Sequence, residues 1–236
     1  MRLASLLAAV GLVVLTAPAM AFNSVPFGGI HATITEAALA SSGLSPLAVA
    51  AIVEANWRTD FDEMTVGLWP VEALFVPNGR YEAGHHFDRG GVDSHAVAFG
   101  EGAAFVSAMR REAAAQLTAG RREAGLWSMG RGLHALQDFS SHSNVVELSV
   151  SEQEAVAAIL AGLPGEAPEA LRITGYDPET GHDPPGDPYG HGAFNKDAPA
   201  RAQHEPAFRM AVALSRAFVG QVREDVGAPI WRELAH

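Results

Sequence analysis

Gly130-Arg-Gly-Leu-His134-Ala-Leu-Gln-Asp138-Phe-Ser-Ser-His142 is the stretch that decides how the chain folds. His134 and Asp138 are four residues apart, and His142 follows four later. On a continuous helix these side chains share one stripe, with β-carbons about 5–6 Å apart. Neighbours at that separation can share one ion or hold adjacent ones. A polar stripe on an exposed helix would show the same spacing. Leu133, Leu136 and Phe139, interleaved with the polar residues, instead predict a buried helix. Buried imidazoles and a carboxylate need partners, and a cation supplies them. Gly130 and Gly132 thin the helix wall and let another backbone approach it.

The same helical periodicity runs outward from this stretch. A second-half pattern covers about Arg122 to Leu148. Before it, Ser94 to Leu117 places Val97, Phe105, Val106, Met109 and Leu117 on one face, and Gly120 punctuates. Thr33 to Ser41 predicts a helix with Thr33 as cap and Glu36 three residues on. Pro46 to Asn56 opens with proline at a first-turn position. Glu152 to Leu163 and His204 to Val226 complete the series. No stretch alternates with period two long enough to predict a strand, and there is no internal repeat. The expected fold class is all-α, a multi-helix single domain.

Composition narrows the function. The 236 residues carry 16 Lys plus Arg against 27 Asp plus Glu, a formal charge of −11. Such a chain lacks the basic surface that duplex nucleic acid requires. It has no cysteine, which excludes disulfides, thiolate metal sites and a cysteine nucleophile. Arg2, the apolar run Leu6 to Leu15, Pro18 and Ala19-Met20-Ala21 read as a secretory signal, residues 1–21, cleaved after Ala21. The expected product is a secreted or periplasmic protein in which residues 22–236 form one helical metal-binding domain beginning at Phe22. An exported chain without disulfides draws its rigidity from a large core or from bound metal. Residues 164–200 differ from the rest, with seven of the chain's 14 prolines and six glycines, together with Asp177, Asp183, Asp187 and Asp197. This stretch is either a solvated insertion or a lid or mouth loop over a site, one that could carry a cation.

Three further clusters accompany the His134–His142 helix. His31 follows Gly28-Gly29; Asn56-Trp57-Arg58-Thr59-Asp60 closes a predicted helix; His85-His86-Phe87-Asp88 is dense in ligand-type side chains. Taken singly they read as a packed histidine, a solvated cap and a polar turn. Histidine and aspartate together suit zinc, and manganese or iron take the same donors.

In chain order these residues resemble the zinc-dependent phospholipase C and single-strand nuclease superfamily, an all-helical fold. The resemblance is nearest to the branch that contains the fungal heterokaryon-incompatibility protein Het-C and its bacterial relatives. The string H-x-L-Q-D-F-x-S-H-S-N of that branch stands here in full from His134 to Asn144. Gly29-Ile30-His31-Ala-Thr-Ile34 is similar to its G-H-x-x-[IV] segment with one residue inserted, and Asn56-Trp57-Arg58-Thr59-Asp60 to its N-W-x-R-D. His86-Phe87-Asp88 is similar to a His-Phe-x-Asp segment, and Gly192-Ala-Phe-Asn195-Lys196-Asp197 to G-x-N-K-D, with His204 beyond.

The resemblance implies a metal centre of about two or three zinc ions. It would be held by the Phe22 amine and carbonyl, His31, Asp60, His86, His134, Asp138, His142 and His204. Asp138 would bridge two ions, and Asp60 would orient or deprotonate the attacking water. The family's closing H-x-x-x-[ED] pair is incomplete here, since His191 is followed by Asn195 and His204 by Phe208. The implied function is a secreted phosphodiester hydrolase of phospholipase C type, in which a metal-activated water attacks phosphorus. Its partners would be a phospholipid or other phosphodiester and peripherally a membrane surface. Two alternatives stand beside it. One is a non-catalytic, Het-C-like exported binding or effector domain. The other is a zinc-dependent single-strand nuclease, for which Trp57, Trp69 and Phe87 are the candidate base platforms.

Overall fold

The computed structural model describes residues 29–66, 75–77, 81–90, 94–176, 183 and 185–236. The expected leader, Phe22 and Trp69 lie outside the described residues. The described residues are mostly helical, as the periodicity predicts. The elements are α1 (Gly29–Leu39), α2 (Pro46–Glu63), a short antiparallel pair β1 (Met64–Val66) and β2 (Phe75–Pro77), then α3 (His95–Thr118), α4 (Arg122–Ser141), α5 (Val150–Leu160), α6 (His191–Phe194) and α7 (His204–Glu233). Single 3₁₀ turns lie at Ala83–His85 and Val145–Glu147.

Helix α4 is the axis of the domain. From Gly125 to Ser141 it is buried almost throughout, with α2, α3 and α7 packed around it. The two glycines act as expected. A β-carbon at Gly130 would lie 2.6 Å from the Ile52 carbonyl oxygen and 2.8 Å from the Asn56 nitrogen, so α2 crosses at backbone contact. One at Gly132 would lie 2.6 Å from the Phe218 ring of α7. Beside them Phe87, Phe99 and Phe139 form the aromatic centre of the core, with ring centroids 4.8–6.1 Å apart. Three buried aromatic rings of this kind dominate local packing energy.

Several helix ends differ from the periodicity, each for a local reason. Helix α1 begins at Gly29, four residues before Thr33. The Thr33 hydroxyl therefore lies inside the helix and donates to the Gly29 carbonyl instead of capping. Helix α2 runs on to Glu63, so Asp60 is not a solvated cap but a buried side chain on its last turns. Helix α4 stops at Ser141, and His142 is its C-cap residue, its N–H 2.6 Å from the Asp138 carbonyl. Helix α5 starts at Val150 because Ser149 and Glu152 form a reciprocal capping box. Helix α7 extends past Val226 through a break at Gly227 (φ 77°) followed by Pro229. The two-residue-periodic pair β1–β2, three residues each, is too short for alternation to reveal.

Candidate metal centre

Two groups of buried metal-type side chains meet at the C-terminal half of α4. The first comprises Asp60 from α2, His86 from the turn after the 3₁₀ segment, and His134 and Asp138 from α4. His86 Nδ1 and His134 Nε2 each lie 3.0 Å from Asp138 Oδ2, and 3.1 Å from one another. Asp60 Oδ1 is 3.4 Å from His134 Nε2 and 3.7 Å from His86 Nδ1. Donors about 2.0–2.2 Å from a tetrahedral ion stand roughly 3.3–3.6 Å from each other. The two imidazole nitrogens and two carboxylate oxygens therefore sit close to the edge lengths of a divalent-ion cage.

His31 approaches from α1 on the far side of Asp138. Its Nε2 is 3.2 Å from Asp138 Oδ1, and its ring lies tilted against that of His134, with centroids 4.6 Å apart. Gln137 and Thr35 fix the tautomer. The Gln137 amide nitrogen donates to Thr35 Oγ1 (2.9 Å), which leaves the Gln137 oxygen to accept from His31 Nδ1 at 2.7 Å. With Nδ1 turned to Gln137, the His31 Nε2 faces a carboxylate oxygen of Asp138. That arrangement needs a proton or a cation between them.

The second group is His142, His191 and Asp197. His142 Nδ1 donates to the His86 carbonyl at 3.3 Å, so its Nε2 faces inward, 2.6 Å from His191 Nε2 and 3.7 Å from Asp197 Oδ1. Ser141 donates its hydroxyl to Asp197. The Pro/Gly-rich stretch is thus a site-building loop: α6 presents His191, and the chain then turns back to set Asp197 against the end of α4. Arg89 anchors the loop, donating to the Ile173 carbonyl (2.9 Å) and pairing with Asp187.

His86 joins the two groups, since its ring lies in the first and its carbonyl holds His142 of the second. The turn that makes this possible is strained. Phe87 takes φ 50°, a left-handed conformation that costs a bulky residue roughly 1–2 kcal/mol. The Phe87 side chain is fully buried, and Gly102 makes room for its ring. Asp88 points back, accepting from Tyr81 Oη (2.5 Å) and Thr174 Oγ1 (2.6 Å). The Tyr81 ring lies parallel to His86 at 5.0 Å.

The electrostatics follow from this enclosure. Burial opposes charge on Asp138, but the His134 ring, then hydrogen bonds from His31 and His86, outweigh it and hold the carboxyl well below its usual range. Asp60 is lowered likewise, burial being overcome chiefly by His134. Against burial, Asp138 and Asp60 raise His134 to about 9. Hydrogen bonds to Asp138 and Glu63 raise His86 well above the ordinary value. The first group is thus a pair of ionised carboxylates that draws positive charge to its centre. His142 goes the other way: burial, then the neighbouring His191, keep it well below the ordinary value and neutral, as a ligand must be.

Of the residues singled out from the sequence, His31, Asp60, His86, His134, Asp138 and His142 come together. His204 does not. It begins α7 half-buried, with Nδ1 2.7 Å from the Lys196 carbonyl oxygen, in neither group. His191 enters the site although its i+4 partner is asparagine, because Asp197 supplies the carboxylate from two residues further on. Glu63 is a site residue the motifs do not point to. Its only sequence signal is the i, i+3 spacing from Asp60. Of the aromatic platforms, Phe87 belongs to the core and Trp57 is half-buried, edge-on to Phe61.

The sequence profile of the VWA7 N-terminal domain family matches residues 30–163. The matched span contains His31 and the whole first group, and it stops before the loop that carries His191 and Asp197. No curated protein and no solved structure matches the chain.

Proposed function

This chain belongs to the VWA7 N-terminal domain family, and we propose that it is an exported, zinc-dependent phosphodiester hydrolase of phospholipase C type. The observation that carries the reading is the convergence of two buried His/carboxylate groups on one helix end, joined through His86. The donor set is nitrogen and oxygen only, gathered within 4.8 Å in each group, a chemistry that suits zinc and is shared by manganese and iron.

Bound divalent ions would supply Lewis acidity toward a phosphate diester and lower the pKa of water. The protein's own contribution is positional. Asp138 offers one oxygen to His86 and His134 and the other to His31, the place of a bridging ligand. Asp60 faces both imidazoles of the first group and is the carboxylate that would orient the water and take up its proton. The low pKa of both carboxyls keeps them ionised at neutral pH. Neutral His142, held through its Nδ1, keeps its Nε2 pair for a cation. A phospholipid is preferred over nucleic acid because the resemblance favours it and basic residues are few. No helix among the described residues is long and apolar enough to cross a membrane.

A second reading is favoured by one observation. Every donor is deeply buried, none of the first group being more than 2 % exposed and none of the second more than 6 %. A centre closed in this way is also what a structural metal site looks like, as in a non-catalytic binding or effector domain. Metal analysis of the purified exported protein, with assays on phosphatidylcholine and a chromogenic diester, separates the two. Two or three zinc ions per chain and chelator-sensitive turnover support the hydrolase, and Asp138→Asn should abolish turnover with the helical spectrum retained. One tightly held ion without turnover supports the structural site. An Asp138→Asn variant as fast as wild type would sink the hydrolase reading.

A further inference from the structure

Glu63 lies on α2 one turn beyond Asp60, and four hydrogen-bond donors converge on its carboxylate. Its Oε1 accepts from His85 Nδ1 (2.7 Å) and from Arg131 Nη2 (2.9 Å). Its Oε2 accepts from the backbone N–H of Glu82 (3.2 Å) and from His86 Nε2 (3.3 Å). The carboxylate is almost wholly buried, while His85 and Arg131 form its partly exposed outer face. That face lines a pocket of about 280 Å³ together with Thr59, Asp62 and Trp127. The Arg131 guanidinium is itself held over the Phe105 ring, so Glu63 has little freedom to move.

We infer that Glu63 is the positioning residue of the metal centre: it holds the proton on His86 Nε2 and thereby turns the His86 Nδ1 electron pair into the cage. The inference deepens the proposed metal reading and depends on it. A neutral imidazole has one N–H and one electron pair. Both His86 nitrogens face carboxylates, Nδ1 facing Asp138 (3.0 Å) and Nε2 facing Glu63 (3.3 Å), but only Nδ1 lies among the other donors of the cage. An ion there would take the place of the Nδ1 proton, and the remaining proton stays on Nε2 against Glu63. A carboxylate behind a ligating imidazole fixes ring and tautomer in this way, and losing it weakens metal binding by about 10–100-fold.

The substitution Glu63→Gln isolates this role because it keeps shape and volume. An amide has one acceptor oxygen for four donors. Arg131 and the Glu82 N–H cannot give up their protons, and the charged Arg131 donor is the nearer of the two (2.9 against 3.2 Å), so the oxygen stays on the Arg131 side and the amide NH₂ faces His86 Nε2. The ring must then carry its proton on Nδ1, and the electron pair leaves the cage.

The test is a zinc titration of the full chain against a chromogenic chelator, wild type and Glu63→Gln in parallel, with melting of the metal-free forms as a folding control. The expected result is about 10–100-fold weaker zinc binding in the variant with helical content unchanged. Equal affinity in the two proteins overturns the role of Glu63 and leaves the metal centre standing. A wild type that binds no zinc overturns both together. Should the variant fail to fold, nitrogen-15 NMR of zinc-loaded wild type decides: metal on Nδ1 and a proton on Nε2 of His86 support the inference, and the reverse assignment refutes it.

Discussion

Replacing Gly130 with alanine probes how far the metal centre depends on the spacing of two helices. A β-carbon at this position would meet the Ala55 β-carbon at 2.5 Å, the Ile52 oxygen at 2.6 Å and the Asn56 nitrogen at 2.8 Å. Two of these obstacles are backbone, so no side-chain rotation relieves the contact. Ordinary contact begins near 3.4 Å, and α2 must draw back from α4 by about 0.8 Å at the crossing. Overpacking of this kind costs about 1–3 kcal/mol. The better helix propensity of alanine returns about 0.8–1.0 kcal/mol. The net loss is about 0–2 kcal/mol, or roughly 0–8 °C in Tm for a domain of this size.

Zinc affinity should suffer more than stability. Asp60 lies about two helical turns beyond Ile52 on the displaced helix. Its Oδ1 now stands 3.4 Å from His134 Nε2. A rigid retreat of α2 would take that edge to about 4.2 Å, beyond the roughly 3.3–3.6 Å a tetrahedral ion permits. The expected outcome is a small fall in the melting midpoint of the metal-free protein and at least about tenfold weaker zinc binding. Calorimetry and chelator competition on one preparation read both quantities. A variant that melts and binds zinc as wild type does would refute the link between helix spacing and cage geometry.

Other expectations are simpler. Stripping the metal should lower the melting midpoint, because an ion at about 1,000 times its Kd contributes about 4.1 kcal/mol, roughly 8–16 °C here; a midpoint indifferent to chelator would mean that no ion binds the native state. Zinc binding at pH 7 should expel protons, since His134 is held at about 9 and His86 well above its ordinary value. Titration calorimetry in buffers of different ionisation enthalpy reads their number, and a buffer-independent heat would contradict it. In the metal-free protein the raised His134 stabilises the fold fully below pH 6.5, and that contribution disappears as pH rises through about 9. His204→Ala should leave the zinc stoichiometry unchanged, because the ring is tied to the Lys196 carbonyl; loss of an ion would restore it to the ligand set.

Legibility of the sequence varied with how locally each feature is encoded. Helix α4 was readable because its apolar period and its polar stripe obey the same 3.6-residue repeat, and its glycines announce the close crossings. Asp60 was readable as a candidate, but its burial was not, because Trp57-Arg58-Thr59 resembles a helix end while tertiary packing carries α2 on to Glu63. Asp197 stands in the G-x-N-K-D match, but its role beside His191 was hidden for a different reason. A carboxylate that completes a set with His191 on a helix would stand four residues later, yet α6 ends at Phe194. The chain then turns back, and only a fold places Asp197 beside Ser141. The turn at Phe87 left no local sign, since a buried aromatic residue at positive φ runs against its own backbone preference.

Gln137, Asp138 and Ser141 are near neighbours on α4, but their partners are not. His31 reaches Gln137 across 106 positions, His86 reaches Asp138 across 52, and Ser141 reaches Asp197 across 56. Closing such loops is slow even though each doubling of loop length adds only about 0.6 kcal/mol. During synthesis, the N-terminal end emerges first and waits. The first group cannot exist before Asp138 has arrived, nor the second before Asp197. Any ion the two groups hold would therefore be taken up in two stages, at the first group once Asp138 has folded into place and at the second only when the 164–200 stretch has closed on α4.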